Sequence, residues 1–340
     1  MKFFSEIIGH QKIISLLRKS ITAGRVAHAY LFLGPAGVGK RTVARTYARA
    51  LLCPHPRDGD ACGTCRGCRQ AAEGNHPDLL FVKPAPGTIK IDQVREVQRR
   101  VALTPYQGRR QVCLIEQAET MTVEAANCFL KTLEEPPAGI VFILVSEQPY
   151  ALLPTVVSRC QQVFFHSLAP AEVMEGLLRL AGLDRERAEL PAVLSGGSLG
   201  RALRLAAEGN LTGPREKVFT TAASLAHASP AQACRLAQAF AGEREELQFF
   251  LETLLLWYRD LLVWRLAGDE KMIVNRDFLP LLRREAKNCT VFRILDIIEK
   301  VKQAQKHLRA NANPRLAAEV LFMQLGRRGE NALSGCRSKV

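Results

Sequence analysis

Hydrophobic and polar positions follow two different patterns along the chain, and the change falls near residue 168. Before it, short and nearly continuous apolar runs alternate with segments whose apolar residues recur every three or four positions. Such runs are typical of parallel strands buried on both faces, and the intervening segments are typical of helices. The pattern predicts strands at 29–33, 78–83, 111–115, 140–145 and 162–165, and helices at 41–52, 91–103 and 123–133. This part is therefore predicted to be an α/β domain with a five-stranded parallel sheet.

The second pattern is helical throughout. Its spacing predicts helices at 170–183, 185–194, 245–267, 291–310 and 314–325, with a glycine-rich segment at 195–201. Residues 327–340 show no periodicity. We therefore expect an α/β domain at 1–167, a small helical lid at 168–211, an all-α domain at 212–326 and a disordered tail at 327–340.

A phosphate-binding loop follows the first predicted strand and matches the pattern Gly-x-x-x-x-Gly-Lys-[Ser/Thr] up to its last position. Backbone N–H groups of such a loop surround phosphate oxygens at a helix N-terminus, and the lysine adds a point charge. The candidate nucleotide contacts in this loop are Gly34, Gly37, Gly39, Lys40 and Thr42. Arg41 occupies the position of the hydroxyl that should hold Mg²⁺, and an arginine cannot ligate a cation. Thr42 lies about 100° further round the helix and is expected to point elsewhere.

The acidic residues expected at the end of the third strand are also altered. Glu116 stands at the Mg²⁺-ligand position, and Gln117 stands where a glutamate would activate water. A neutral amide cannot accept a proton from water. Glu119 could take over, but it lies past the strand end and is expected to face solvent. We expect no efficient hydrolysis, while binding of ATP or ADP stays open.

Four of the ten cysteines are concentrated in one short segment, Cys53, Cys62, Cys65 and Cys68. Four thiolates at this spacing suit a closed, tetrahedral, structural Zn²⁺ site, which we place in a module at 53–78. Gly63 and Gly67 are expected to allow tight turns beside the ligands. His55 and His76 could replace a ligand, and an iron–sulfur cluster or free thiols are the alternatives.

The chain has 340 residues and a net charge of +14, which favours polyanionic neighbours such as DNA. A basic cluster is formed by Arg95, Arg99, Arg100, Arg109 and Arg110. These side chains could contact DNA phosphates, although a plain solvated face is the more frequent outcome. The N-terminal segment contains Glu6 and no long apolar core, and no apolar run approaches a membrane span. We therefore expect an intracellular, soluble protein without a membrane partner.

Several segments together resemble the bacterial clamp-loader subunits of the AAA+ class: His28–Pro35, Asn127–Pro137, Ser158–Cys160 and Asn311–Arg315. The resemblance extends from about Phe4 to Leu325, and the four-cysteine loop lies where those subunits carry a zinc module. It implies an AAA+ P-loop domain, a lid and a helical collar that joins subunits. Because Arg41 and Gln117 break the ATPase motifs, the chain is more similar to a non-hydrolysing member than to the gamma/tau ATPase.

The resemblance also implies roles for two arginines. Arg159, in Ser-Arg-Cys, would be an arginine finger that acts in trans on ATP held by a neighbouring subunit. The alternative for Arg159 is a surface salt bridge. Arg201 would be a sensor that contacts phosphate in the same subunit, with Arg204 as a competing choice and a solvated helix charge as the alternative.

The implied partners are the clamp-loader gamma/tau and delta subunits, and, through the complex, the sliding clamp and primer–template DNA. The chain would be a cytoplasmic, nucleoid-associated part of a DNA-directed DNA polymerase holoenzyme (a nucleotidyltransferase at the level of the complex), without catalysis of its own. Two alternatives stay open: an active gamma/tau-like AAA+ ATPase motor in replication or repair, and a zinc-dependent adaptor with no DNA role.

Overall fold

The computed structural model describes residues 3–85, 87–107, 110–209, 211–225, 228–238, 244–309 and 312–326. The tail predicted at 327–340 lies outside the described residues, as do Arg109 and Asn311. Contacts divide the described chain into two compact units. The first holds residues up to Ala188 together with Gly197–Arg204, and the second holds Glu189–Gly196 and the described residues from Leu205 onward. The division of the helical part into a lid and a following domain stays a prediction.

The first unit is built on one parallel sheet. Its strands are β1 (Ala29–Leu33), β2 (Leu79–Val82), β3 (Gln111–Glu116), β4 (Ile140–Ser146) and β5 (Gln161–Phe164). They lie in the order β2-β3-β4-β1-β5, and every neighbouring pair is parallel. The predicted five-stranded parallel sheet is confirmed, and each strand begins and ends within one residue of its prediction.

Helices cover both faces of this sheet. The helices of the first unit that precede residue 182 are α1 (Gln11–Thr22), α2 (Lys40–Leu51), α3 (Arg66–Glu73), α4 (Ile91–Val101), α5 (Val123–Glu134), α6 (Pro154–Val157) and α7 (Pro170–Ala181). Because side chains alternate along a strand, Tyr30 and Phe32 of β1 pack with α1 and α2. Leu31 and Leu33 pack on the opposite face with α4 and α5. Burial on both faces explains why β1 is apolar at every position.

The register of the sheet brings three strand ends together. Leu33 of β1 lies opposite Ser146 of β4, and Glu116 of β3 lies opposite Val145. The loop after β1, the acidic end of β3 and the residue after β4 therefore meet at the carboxyl edge of the sheet. This edge is where ligands bind in open parallel sheets.

The second unit is helical, as predicted. Two helices, α8 (Arg185–Leu194) and α9 (Leu199–Glu208), have residues in both units. The remaining helices are α10 (Thr212–Leu225), α11 (Pro230–Ala237), α12 (Arg244–Ala267), α13 (Leu279–Asn288), α14 (Val291–Arg309) and α15 (Pro314–Gly326). The second unit has its own core, in which the Trp257 ring lies 4.2 Å from the Phe219 ring between centroids. Among the described helices of the whole chain, none is both long and apolar enough to span a membrane.

Candidate nucleotide site and surface arginine

The loop between β1 and α2 has the backbone of a P-loop. Gly34, Gly37 and Gly39 all have positive φ angles, of 149°, 70° and 109°. A Cβ atom on Gly34 would lie 2.3 Å from the Phe165 carbonyl oxygen, and one on Gly37 would lie 2.3 Å from Ser198 Oγ. Both positions therefore require glycine for conformation and for space.

Lys40 is the first residue of α2 and is buried beneath this loop. Its Nζ donates hydrogen bonds to the carbonyl oxygens of Gly34 (2.7 Å) and Pro35 (2.6 Å). Glu147 Oε1, just after β4, lies 3.8 Å from Nζ. Burial lowers the pKa of Lys40, while the charges of Glu147 and Glu119 oppose that change. The lysine thus stands between loop carbonyls and two carboxylates at the edge of the sheet.

Arg41 makes an ion pair with the acidic residue that would have held Mg²⁺. Its Nε lies 2.6 Å from Glu116 Oε1, and Arg45 Nη2 lies 3.2 Å from the same oxygen. The Glu116 side chain is only 10% exposed, whereas those of Arg41 and Arg45 are 52% and 45% exposed. A guanidinium offers positive charge and N–H donors but no lone pair. Arg41 and Glu116 therefore complement each other electrostatically, and one oxygen of the Glu116 carboxylate is already used.

Thr42 is half-buried, and Arg41 rather than Thr42 contacts the acid on β3. Sequence reasoning missed Arg45 and Glu147, although Arg45 lies four residues after Arg41 on the same helix face. Glu147 could have been identified from its position directly after the predicted strand β4.

The residues after Glu116 differ in part from expectation. Gln117 is exposed and has a left-handed backbone, with φ of 53°. Glu119 does not face solvent as expected: it is half-buried, and its Oε1 accepts the N–H of Glu147 at 3.2 Å. The reason is that a short 3₁₀ turn, Ala118–Thr120, directs Glu119 towards the end of β4. The Glu119 side chain therefore links the end of β3 to the end of β4 by a hydrogen bond, whereas the Gln117 side chain is exposed to solvent.

The start of α9 packs against the P-loop within the first unit. The Gly200 N–H donates to the Gly37 carbonyl oxygen at 2.9 Å, and the Arg201 N–H donates to Ser198 Oγ at 3.3 Å. Arg201 is therefore near the loop, in the third position of α9. Its phosphate contact, and the competing role of Arg204, stay predictions.

Four sulfur atoms form a compact group beyond the end of α2. The Sγ atoms of Cys53, Cys62, Cys65 and Cys68 all lie within 4.8 Å of one another, and those of Cys62 and Cys68 are 3.9 Å apart. A tetrahedral zinc ion with Zn–S bonds of about 2.3 Å separates its sulfurs by roughly 3.8 Å. The donor set therefore fits one Zn²⁺ ion. An iron–sulfur cluster inserts several iron and sulfide ions and requires a wider ring of thiolates.

Backbone N–H groups already point at these sulfurs. Cys62 N–H donates to Cys53 Sγ and Cys68 N–H donates to Cys65 Sγ, each at 3.3 Å. Burial acts to raise the pKa of the Cys62 thiol, but N–H donors from Cys65 and Thr64 outweigh it and lower that pKa to about 5. Burial raises the pKa of the Cys53 and Cys68 thiols, so Cys62 is the one of these three that loses its proton most readily.

The residues around the cysteines are only partly as expected. Gly63 turns with φ of 77°, but Gly67 is an ordinary residue of α3. A Cβ on Gly67 would lie 3.3 Å from His76 Nε2, so close packing, not a turn, explains that glycine. His76 Nδ1 accepts the Asp78 N–H at 3.1 Å, and the metal-capable group found among the described residues does not include His55 or His76.

Arg159 lies at the surface between α6 and β5. Its side chain is 36% exposed, and Nη2 lies 2.6 Å from Glu134 Oε1 at the end of α5. Nη1 donates to the Thr155 carbonyl oxygen at 3.1 Å and is 3.4 Å from Ser158 Oγ. The Arg159 guanidinium is therefore partly exposed and is held by contacts with Glu134, Thr155 and Ser158.

The three arginines of the basic cluster that lie on α4 are paired with acids of the same helix. Arg95 lies 3.7 Å from Asp92, and Arg99 and Arg100 lie 2.8 and 2.9 Å from Glu96. These exposed pairs favour the solvated-face interpretation over a DNA surface.

Comparisons with known proteins agree with this geometry. Family models described as "DNA polymerase III, delta subunit" and "DNA polymerase III, delta subunit, C terminal" match residues 9–169 and 213–326. The DNA polymerase III subunit delta' of Pseudomonas aeruginosa is 37% identical over 305 residues, which cover 88% of this chain and 91% of that protein. The subunit delta' of Bacillus subtilis is 31% identical over 318 residues, covering 92% and 95%.

More distant matches include the DNA polymerase III subunit tau of Bacillus subtilis, 24% identical over 95% of this chain and 61% of that protein. A solved structure, a DNA polymerase III gamma subunit-related protein from Thermotoga maritima, matches 92% of this chain and 99% of that chain at 20% identity, with a TM-score of 0.41. The family models and the two delta' relatives together cover most of the sequence. The chain therefore belongs to the DNA polymerase III delta' subunits.

Proposed function

We propose that this chain completes a clamp-loader ring without hydrolysing ATP itself, and that it donates Arg159 to a neighbouring ATPase subunit. The observation that carries the first half is the ion pair between Arg41 and Glu116. Its partners would be the gamma/tau and delta subunits, and the complex would load the sliding clamp on primer–template DNA. We place it in the bacterial cytoplasm, with the replication machinery at the nucleoid.

Hydrolysis of ATP needs a metal ion that bridges phosphate oxygens and a group that orients or activates water. At this P-loop, Arg41 takes the hydroxyl position and occupies the Glu116 carboxylate, which is the acid nearest to the loop on β3. The neutral Gln117 stands in the general-base position. Both parts of the hydrolytic apparatus are therefore replaced, while the glycines and Lys40 keep a phosphate cradle. Binding of ATP or ADP without efficient turnover is the function that this combination supports.

Arg159 supports the second half of the proposal. An arginine finger must reach outward, and it stabilises the negative charge that develops on the transferred phosphoryl group. The side chain is partly exposed on the segment that joins β4 to β5. Its position in Ser158-Arg-Cys160 matches the clamp-loader motif.

Zinc would be held by Cys53, Cys62, Cys65 and Cys68 in a structural role. Four thiolates complete a tetrahedral shell and leave no open position for catalysis. The helical residues 168–211 and 212–326 would then serve as a lid and as a collar that joins the subunits.

The test is ATP hydrolysis by the purified chain alone and by the chain mixed with gamma/tau, delta, clamp and primed DNA. We expect no turnover by the chain alone, and stimulation in the mixture that is lost in Arg159→Ala but kept in Arg179→Ala, an exposed arginine that pairs with Glu175 on its own helix. Robust hydrolysis by the isolated chain would instead identify an active gamma/tau-like motor. Stimulation that is indifferent to Arg159 would remove the finger.

A further inference from the structure

Glu134 is the residue that orients the Arg159 side chain. The carboxylate Oε1 lies 2.6 Å from Arg159 Nη2, which is a short, charge-assisted hydrogen bond. On the other side of the guanidinium, Nη1 donates to the Thr155 carbonyl oxygen and contacts Ser158 Oγ. The planar group is therefore held from two directions.

The backbone on both sides of this pair is anchored in one hydrophobic cluster. Leu133 directly precedes Glu134, and Val156 and Cys160 lie close to Arg159 in sequence. All three side chains are buried in the cluster that packs β1, β3 and β4 against α4 and α5. Close packing of this kind restricts backbone movement that would separate Glu134 from Arg159. The distance between them is thus set by the core and not by two mobile surface loops.

Helix stability does not account for a glutamate at this place. Glu134 is the last residue of α5, where the partial negative charge of the helix dipole disfavours a carboxylate. Thr122 and Glu124 already supply the favourable polar and acidic groups at the other end of α5. The contact with Arg159 is the specific interaction that Glu134 makes in the described structure.

The pairing leaves part of the guanidinium for a ligand. A guanidinium has five N–H donors, and the contacts with Thr155, Ser158 and Glu134 use three of them. Among the described residues, the Nε–H of Arg159 has no recorded acceptor. This donor and the second hydrogen of Nη2 stay available for phosphate oxygens.

We propose that Glu134 is a positioning residue, which fixes Arg159 in the orientation that meets the terminal phosphate of ATP bound to a neighbouring subunit. The proposal rests on the finger role of Arg159 given above. An arginine side chain that is already held in place loses less conformational entropy when the transition state forms. Glu134 itself touches neither nucleotide nor water.

The test measures kcat and KM for DNA-stimulated ATP hydrolysis by the assembled complex. Four forms of this chain are compared: Glu134→Ala, Glu134→Gln, Arg159→Ala and the double variant Glu134→Ala/Arg159→Ala. The matched control is Glu135→Ala, because Glu135 is an exposed neighbour for which the described structure records no ion pair. We expect Glu134→Ala to lower kcat several-fold at unchanged KM, since the finger acts in the transition state. Glu134→Gln keeps an oxygen acceptor and should lose less, and Glu135→Ala should match the wild type.

The double variant separates positioning from a general structural role. If Glu134 acts through Arg159, the double variant will be no slower than Arg159→Ala alone. Additive losses, an unchanged kcat in Glu134→Ala, or a raised kcat would each overturn the proposal. The finger itself is judged separately: an unaffected Arg159→Ala complex would refute the proposed function, whereas an affected one with normal Glu134→Ala turnover refutes only the positioning role.

Discussion

Two arginine–glutamate pairs in the first unit have the same length and opposite chemical consequences. Arg41 Nε to Glu116 Oε1 and Arg159 Nη2 to Glu134 Oε1 are both 2.6 Å. Glu116 is nearly buried at the end of a central strand, whereas Glu134 is half exposed at a helix end. The first pair engages an acid that a metal ion would need. The second engages an acid for which no other partner is seen among the described residues, and it holds a guanidinium at the surface.

The difference teaches that two ion pairs of equal length can place their acids in very different surroundings. The P-loop has its glycines and its lysine, whereas Arg41 and Gln117 stand at the expected metal-binding and water-activating positions. The charge of Arg41 is paired, because Glu116 Oε1 lies beside its Nε. A paired charge of this kind is compatible with a stable fold.

The largest effect is expected at the cysteine group. This group begins just after α2, the helix that carries Arg41. Cys62→Ser/Cys65→Ser should abolish zinc binding and destabilise the first unit by several kcal/mol, since zinc binding in small zinc domains is worth about 10–16 kcal/mol. Zinc content by atomic absorption and unfolding by urea are the measurements. Cys234→Ser, a cysteine of the second unit, is the control and should retain the metal. Unchanged zinc content in the double variant would contradict the assignment.

The next-largest effect is expected at Glu116, and it can be compared directly with the effect of the same change at Glu134. Glu116→Ala should lower the free energy of unfolding by about 2 kcal/mol, because it leaves Arg41 and Arg45 beside a buried site without their acceptor. This loss of unfolding free energy is smaller than that for a fully buried ion pair, because both arginines are half exposed. Urea unfolding of the isolated chain measures it. If Glu116→Ala were as stable as the wild type, the ion pair between Arg41 and Glu116 would make no contribution to the stability of the fold.

A gain-of-function change should sharpen the contrast. The triple variant Arg41→Thr/Glu116→Asp/Gln117→Glu supplies a hydroxyl and a carboxylate for Mg²⁺, together with a second carboxylate that can activate water. We expect ATP to bind this variant roughly tenfold more tightly with Mg²⁺ than with EDTA, about 1.4 kcal/mol. The wild-type chain should show no such dependence. Titration calorimetry measures both, and equal metal dependence of the two proteins would contradict the metal-replacing role of Arg41.

The smallest effect is expected at the surface pair. Glu134→Ala should change the free energy of unfolding by less than about 1 kcal/mol, because exposed ion pairs contribute little to stability. The same urea experiment measures it beside Glu116→Ala. A loss as large as that of Glu116→Ala would show that the two pairs do not differ in the way described.

Much of the fold could be predicted from the sequence because its strands are buried on both faces. The β1 prediction matches at both ends, and the P-loop and the four cysteines were recognised from spacing alone. The helix α1 was overlooked although Ile14 and Leu17 give it an apolar face, and α3 is too short and polar to show a period. Spacing rules identify local features of this kind and say little about which side chains meet in space.

The pairings in the site could not be predicted for that reason. Glu116 and Arg41 are 75 positions apart in sequence and meet only because β3 and β1 end at the same edge of the sheet. The contact of Glu147 with Lys40 depends on the register of β4, and that of Glu134 with Arg159 depends on packing of α5 beside α6. Motifs mark Glu116 and the segment that contains Glu134, but they do not show which arginine each acid contacts.

In the proposed function, this chain supplies catalysis to a neighbouring subunit and performs none at its own P-loop. The most direct measurement is DNA-stimulated ATP turnover by the assembled complex containing either Arg159→Ala or Lys40→Ala in this chain. An arginine finger contributes about 10³–10⁵ to the rate at the site that it completes. We expect a clear loss of turnover with Arg159→Ala and nearly normal turnover with Lys40→Ala. Loss with Lys40→Ala together with normal turnover in Arg159→Ala would contradict the proposed function.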